Sequence, residues 1–134
     1  AYDMSIANIA IVDQARGGTG CAIVHSDSAS GIQRLNQEAA KALAAGRRAG
    51  FDISEGRAMT WITKNPAKSL GILDQTGTLE QGKDADLVIW SGNPFSVYTK
   101  AEQVYIDGAL AFDKASNFMP HTDFDLGIKE WEDK

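Results

Sequence analysis

The chain has 134 residues and a mass of 14.4 kDa, and its 13 Lys and Arg against 18 Asp and Glu give a net charge of −5. Hydrophobic residues make up 43% and charged residues 23%, which is typical of a folded domain and too apolar for a disordered chain. The acidic balance argues against nucleic acid or an anionic membrane as the main partner, because both bind basic surfaces. A single cysteine excludes an internal disulfide framework.

Two further observations restrict the expected location and the expected fold of the chain. No apolar run approaches the ~20 residues of a membrane span, and no targeting segment is visible at the N-terminus, so we expect a cytoplasmic protein. A closed (β/α)₈ barrel needs about 200 residues or more. The chain is therefore too short to be such a barrel as a complete unit.

The first part of the chain predicts a helix followed by a strand. Apolar residues keep a helical spacing over residues 2–15, and glycines in 16–20 suit a helix end and a turn. Cys21 to Val24 is a continuous apolar run, typical of a strand buried on both faces of a parallel sheet. Polar residues follow it directly: His25, Ser26, Asp27 and Ser28.

Three helical pieces come next. Ser30 and Gln33 fit a capping box, which predicts a helix over residues 31–50. A third helix is predicted over 54–63, and a proline in its first turn with a closing glycine predicts a further short helix over 66–71.

The remainder predicts a small β module. Residues 86–90 are typical of a strand, and residues 104–112 predict a hairpin whose Asp107-Gly108 pair forms a type I′ turn. From Lys114 onward there is no periodicity, and we expect an acidic, partly mobile tail.

The order of these elements predicts an incomplete domain. A buried strand of the parallel type needs neighbouring strands, and the chain supplies no other of that type. An unpaired apolar strand edge is a template for association. We therefore expect a homo-oligomer or a complex with a complementing chain.

Four motifs carry a resemblance to a known family: Ile23–Ser28, Asn65–Gly71, Gly77–Val88 and Val104–Gly108. In this order and spacing they resemble the C-terminal part of the amidohydrolase superfamily, in its imidazolonepropionase-like branch of metal-dependent hydrolases. The resemblance implies an α/β fold, a C-terminal fragment of a (β/α)₈ barrel followed by a small β-sandwich module.

The resemblance also implies a division of the chain. Residues 1–71 would form the last part of the barrel, with its eighth strand at about 21–25, residues 72–113 the sandwich strands, and 114–134 a tail without a counterpart. The family's other metal ligands lie on earlier strands. We therefore expect zinc or another divalent metal in the complete enzyme and no retained metal in this chain alone.

By this resemblance, Asp27 contacts the metal and the attacking water and is the catalytic general base. The alternative is that Asp27 only caps the following turn. His25 should face the same side as Asp27 and could contact substrate or support the metal site, although a core histidine bonded to a carbonyl is the favoured interpretation. Ser28 could line the pocket mouth or form a turn.

Other conspicuous side chains are interpreted as structural. Lys83, Asp84 and Asp86 cluster with glycines, but no glycine-rich turn leads into a helix with Lys-Ser or Lys-Thr, which excludes a phosphate loop. Trp61 and Trp90 are interpreted as core packing, and His121 as a surface residue.

The expected function is hydrolysis of a non-peptide C–N bond in a small molecule, a cyclic amide, amidine or dipeptide-like substrate. The isolated chain is expected to be inactive, because it would be part of a larger hydrolase. Two alternatives stay open: a non-catalytic interaction or assembly module, and a half-enzyme completed by another barrel chain.

Overall fold

The computed structural model describes residues 5–116, which form helices followed by a small sheet. The helices are α1 (Asn8–Gly18), α2 (Leu35–Arg48), α3 (Glu55–Met59) and α4 (Lys64–Leu70). Short 3₁₀ turns cover Ile32–Arg34 and Thr60–Ile62. The strands are β1 (Leu87–Trp90), β2 (Ala101–Ile106) and β3 (Ala109–Asp113). An α/β chain is therefore confirmed, and the barrel and sandwich assignments stay predictions.

Close approach of small residues builds the helical core. Helix α1 packs against α2, and α2 packs against α3 and the turn Thr60–Ile62. A Cβ added at Gly46 of α2 would lie 2.5 Å from the Cβ of Ala10, so the two helices meet where one of them has no side chain. Seven buried apolar residues form this core: Ala10, Ala22, Ala39, Leu43, Ile53, Ala58 and Trp61. The prediction that Trp61 is core packing is confirmed.

The ends of the later helices follow the local sequence signals. The Ser54 hydroxyl accepts a hydrogen bond of 3.1 Å from the backbone N–H of Arg57, which caps α3 as a serine at this position should. Gly71, with a φ of 75°, adopts the left-handed conformation that ends α4. Both predicted helices are confirmed. None of the helices within residues 5–116 combines the length and apolarity needed to cross a bilayer.

The predicted start of the second helix is wrong in its capping. The Gln33 side chain donates to the backbone carbonyl of Ser30 at 3.2 Å, and no side chain caps α2. The 3₁₀ turn Ile32–Arg34 takes the place of a first α-helical turn, so α2 begins only at Leu35. The capping box therefore has no helix N-terminus to cap.

The first helix is also displaced from its prediction. Helix α1 begins at Asn8, and the backbone leaves the helical region at Ala15, Arg16 and Gly17, so the regular part ends at Gln14. Residues 2–4 of the predicted helix lie outside the described part of the chain.

Residues 20–26 differ from the predicted buried strand. No secondary structure is assigned to them, and within residues 5–116 no strand pairs with Cys21–Val24. Their backbone is held by helical residues: Val24 N–H donates to the Trp61 carbonyl at 3.1 Å, and the Asn65 amide donates to the Ala22 carbonyl at 2.7 Å. The strands β1 to β3 are all antiparallel, so this part of the chain offers no parallel partner.

The three strands form an antiparallel sheet in the order β1-β2-β3. Asp107 and Gly108 have φ values of 50° and 75°, as the type I′ turn between β2 and β3 requires. The predicted hairpin is therefore confirmed. Trp90 is half-buried at the end of β1 and is not a member of the buried core, so its interpretation as core packing is wrong.

A buried carboxylate joins α1 to the later helices. Asp13 is fully buried, and its Oδ1 accepts hydrogen bonds of 2.8 Å from Trp61 Nε1 and from Arg57 Nε. Its Oδ2 accepts from the Gln14 amide at 2.8 Å. Burying a charge is costly unless it is paired and hydrogen-bonded, and here both carboxylate oxygens have donors.

We predict that Asp13→Ala destabilises the chain by about 3 kcal/mol or more, because it leaves the Trp61 and Arg57 donors without their acceptor. Denaturant titration measures the free energy of unfolding. Lys41→Ala is the matched control: Lys41 is exposed and forms only a surface pair with Glu38, so its loss should change stability by less than about 1 kcal/mol. Equal effects of the two substitutions would contradict the role of Asp13.

Candidate functional site

The predicted site residues lie in a tight turn directly after residues 20–26. Asp27 is exposed and has a φ of 53°, in the left-handed region that few residues other than glycine adopt. Residues held in this region occur often at functional sites, where the surrounding structure maintains them. The turn therefore presents the Asp27 carboxylate to solvent.

Serines, and not Asp27, make the hydrogen bonds of this turn. The Ser26 hydroxyl accepts from the Ser28 backbone N–H at 3.3 Å and donates to the Ser28 carbonyl at 2.9 Å. The Ser28 hydroxyl lies 3.0 Å from that of Ser30. Within residues 5–116 the Asp27 carboxylate has no hydrogen-bond partner, so the interpretation of Asp27 as a turn cap has no bond to support it.

His25 differs from the favoured interpretation of a core histidine. Its side chain is exposed and, in the described part of the chain, it donates to no carbonyl. The prediction was wrong because core burial was inferred from the apolar run before it. Within this run only the Ala22 side chain is buried, at 2% exposed, while Ile23 and Val24 are half-buried.

The chain leading to this turn is fixed from Gly20 onward. A Cβ at Gly20 would lie 1.8 Å from the Val12 carbonyl oxygen, so only glycine allows this approach to α1. The Arg57 guanidinium donates to the carbonyls of Gly18 at 3.0 Å and Gly20 at 2.9 Å. Sequence reasoning assigned Gly20 only to the turn after α1, and it missed Arg57 because the carbonyls that this side chain binds lie 39 and 37 residues away along the chain.

Asn65 is a second residue that sequence reasoning left without a role. It belongs to the Asn65–Gly71 motif, and its buried amide holds the Ala22 carbonyl. The motif was recognised as a family signal, but nothing local to it indicated which backbone group the amide would bind.

The described residues do not form a metal site by themselves. Among residues 5–116, no group of three or more His, Cys, Asp or Glu side chains is placed to hold a metal ion. Zinc sites use three or four protein ligands. A metal site that used Asp27 would therefore need at least one further ligand from outside residues 5–116.

The Lys83 side chain has structural partners. Its ammonium donates to the Leu73 carbonyl at 2.5 Å and to the Thr78 hydroxyl at 2.6 Å. The Thr78 hydroxyl and the nearby Lys83 charge lower the pKa of Glu80. These contacts stabilise the loop between α4 and β1. They agree with the structural interpretation of the cluster that contains Lys83.

Asp86 also binds within the β module. Its carboxylate accepts from the backbone N–H of Asp107 at 3.0 Å and from the Thr76 hydroxyl at 2.9 Å. These two hydrogen bonds, the Asp107 one first, hold the pKa of Asp86 below its ordinary value. These bonds agree with the structural interpretation of Asp86.

The chain matches the model of the Amidohydrolase family over residues 10–118. It belongs to the amidohydrolase family. The matched range includes the turn with Asp27, and it confirms the resemblance drawn from the four motifs. His121 and the tail beyond residue 116 lie outside the described residues.

The chain is similar to parts of longer proteins. The chain is 47% identical to an imidazolonepropionase of Brucella anthropi over 55 residues, 41% of this chain and 12% of that protein. It is 39% identical to an amidohydrolase of Hapsidospora irregularis over 56 residues, 42% of this chain and 6% of that protein. The crystal structure of an amidohydrolase from Thermotoga maritima superposes with a TM-score of 0.69 and 34% identity, covering 84% of this chain and 27% of that one. The chain thus spans a small part of the relatives it matches.

We predict that Thr76→Val raises the pKa of Asp86 toward 3.8, its ordinary value, because the carboxylate loses one donor. A lowered folded-state pKa means that the stabilising contribution of Asp86 is complete above pH 3.8 and is lost as the pH falls through the folded-state value. Carboxyl ¹³C NMR titration measures the midpoint. Thr63→Val, which removes only a hydroxyl bonded to the Met59 carbonyl, should leave the Asp86 midpoint unchanged.

Proposed function

We propose that this chain supplies a catalytic carboxylate, Asp27, to a metal-dependent amidohydrolase that hydrolyses a non-peptide C–N bond. The observation that carries the proposal is the exposed Asp27 carboxylate, which has no hydrogen-bond partner within residues 5–116 and follows a backbone held at Gly20, Ala22 and Val24. Membership of the amidohydrolase family supports the reaction class.

In this proposal Asp27 accepts the proton of the attacking water and later passes it to the departing nitrogen. A carboxylate without internal hydrogen bonds keeps its lone pairs free for both steps. When bound, a zinc or other divalent ion lowers the pKa of the water and polarises the carbonyl. At least one of its other ligands would lie outside the described residues.

His25 and Ser28 are proposed to contact substrate beside Asp27. Both are exposed in the same short stretch, and the His25 side chain has no partner within residues 5–116 that would hold it away from a ligand. A cyclic amide, amidine or dipeptide-like compound is the proposed substrate class. The Brucella relative, named for an imidazolone, supports a cyclic compound with a C–N bond.

A chimera tests the role of Asp27 directly. Residues 5–116 replace the matching part of the Thermotoga maritima amidohydrolase, and the hydrolysis of cyclic amides, amidines and dipeptide-like compounds is measured. We predict that Asp27→Asn lowers kcat by about 100-fold or more, because the amide cannot accept the proton. Asp52→Asn, at an exposed aspartate between α2 and α3, should retain activity.

The metal content of the chimera is measured together with its activity, so that the possible outcomes can be distinguished. If Asp27→Asn keeps full activity, Asp27 is not the base and the proposal fails. If the chimera folds and retains its metal but shows no hydrolysis of any C–N substrate, the alternative of a non-catalytic assembly module replaces it.

A further inference from the structure

The helical stretch after α3 is interrupted at Thr63. This residue has a φ of −130° and a ψ of −88°, which are not helical values, and it separates the 3₁₀ turn Thr60–Ile62 from α4. Pro66 favours the interruption, because a proline has no N–H for the carbonyl four residues before it. Trp61 lies two residues before the interruption and Asn65 lies two residues after it. Groups of both residues therefore turn to partners elsewhere in the chain.

Trp61 and Asn65 bind the backbone of one short segment. The Asn65 amide donates to the Ala22 carbonyl at 2.7 Å, and the Trp61 carbonyl accepts from the Val24 N–H at 3.1 Å. Asn65 is 8% exposed and Ala22 is 2% exposed, so water has little access to the amide bond. Bonds at two positions of the segment resist its rotation as well as its displacement, whereas a single bond would act as a pivot.

The position of Asp27 depends on this segment, because Val24 is only three residues before it. Asp27 has a φ of 53°, a conformation that persists only where the surrounding structure maintains it. A carboxylate that acts as a general base must lie within hydrogen-bond distance of the water. Misplacing a reacting group by about 1 Å can lower a rate about 100-fold.

We propose that Asn65 is a positioning residue for Asp27, a role that rests on the proposed function of that carboxylate. Asn65 contacts neither the substrate nor the reacting atoms; its amide holds the Ala22 carbonyl and so fixes the backbone that leads to Asp27. Without the amide, the Asp27 carboxylate keeps its chemistry and loses its place. The loss therefore falls on kcat and not on KM.

Asn36 supplies a matched control. It is also 8% exposed, and its amide donates to the Pro94 carbonyl at 2.7 Å. That bond holds the loop between β1 and β2 against α2, and not the segment before Asp27. Asn65→Leu and Asn36→Leu therefore remove the same kind of bond from equally buried side chains. Each leaves a carbonyl without its donor, so both should lower stability by comparable amounts.

The kinetics of the Thermotoga maritima chimera test the positioning role, at a temperature where circular dichroism shows each variant folded. Asn65→Leu is expected to lower kcat about 10-fold, with KM changed less than about twofold and the metal content unchanged. Asn36→Leu is expected to keep kcat within about twofold of the parent. Equal losses of kcat from the two substitutions, or a rise in KM alone for Asn65→Leu, overturn the role of Asn65. An inactive Asp27→Asn chimera would then still support the proposed function.

NMR on the full chain tests the same role without activity. In Asn65→Ser the shorter side chain no longer reaches the Ala22 carbonyl, and this milder change serves if Asn65→Leu does not fold. The backbone amide resonances of Val24 and Asp27 are expected to shift in Asn65→Ser and to stay in place in Asn36→Ser. Unchanged Asp27 resonances in folded Asn65→Ser would overturn the positioning role, while the proposed function of Asp27 would stand. If instead Asp27→Asn keeps full activity in the chimera, the proposed function fails and the role of Asn65 fails with it.

Discussion

The buried carboxylate of Asp13 is the interaction on which the helical part of this chain depends. It accepts hydrogen bonds from the Trp61 indole and the Arg57 guanidinium, which lie more than 40 residues away along the chain. Arg57 extends the network to the carbonyls of Gly18 and Gly20. Because a buried charge must be fully paired, these groups have to assemble together. One carboxylate thus fixes α1, α3 and the turn between α1 and the Asp27 segment.

The same constraint positions the candidate site. Gly20, at the start of the Asp27 segment, lies against the Val12 carbonyl. Trp61 and Asn65 then bind the backbone of the segment through hydrogen bonds to Val24 and Ala22. Before the chain reaches Asp27, helical residues hold one edge of its backbone. This arrangement explains how an exposed carboxylate can be presented in the left-handed conformation.

Local chemistry predicted the elements that depend on a few neighbouring residues. The Ser54 cap, the Gly71 helix end and the Asp107-Gly108 turn each follow from the conformational preference of one or two residues. The Ser30–Gln33 capping box failed because a 3₁₀ turn precedes α2. The predicted strand at Cys21–Val24 and the predicted burial of His25 differ from the structure, and the role of Asp13 was not predicted. All three depend on partners distant in sequence, which periodicity does not encode. Four spaced motifs predicted the family, although none indicated that Asn65 binds the Ala22 carbonyl.

Hydrogen exchange at the Trp61 indole N–H, followed by NMR together with the Val24 amide, tests the central claim most directly. Both protons lie in bonds that tie the Asp27 segment and α1 to the later helices. If Asp13 organises this part of the chain, both should exchange only through the opening that exposes the core, with the same protection as the amides of α2. Exchange of the Trp61 indole proton at the rate of an exposed indole, while the α2 amides remain protected, would contradict the account.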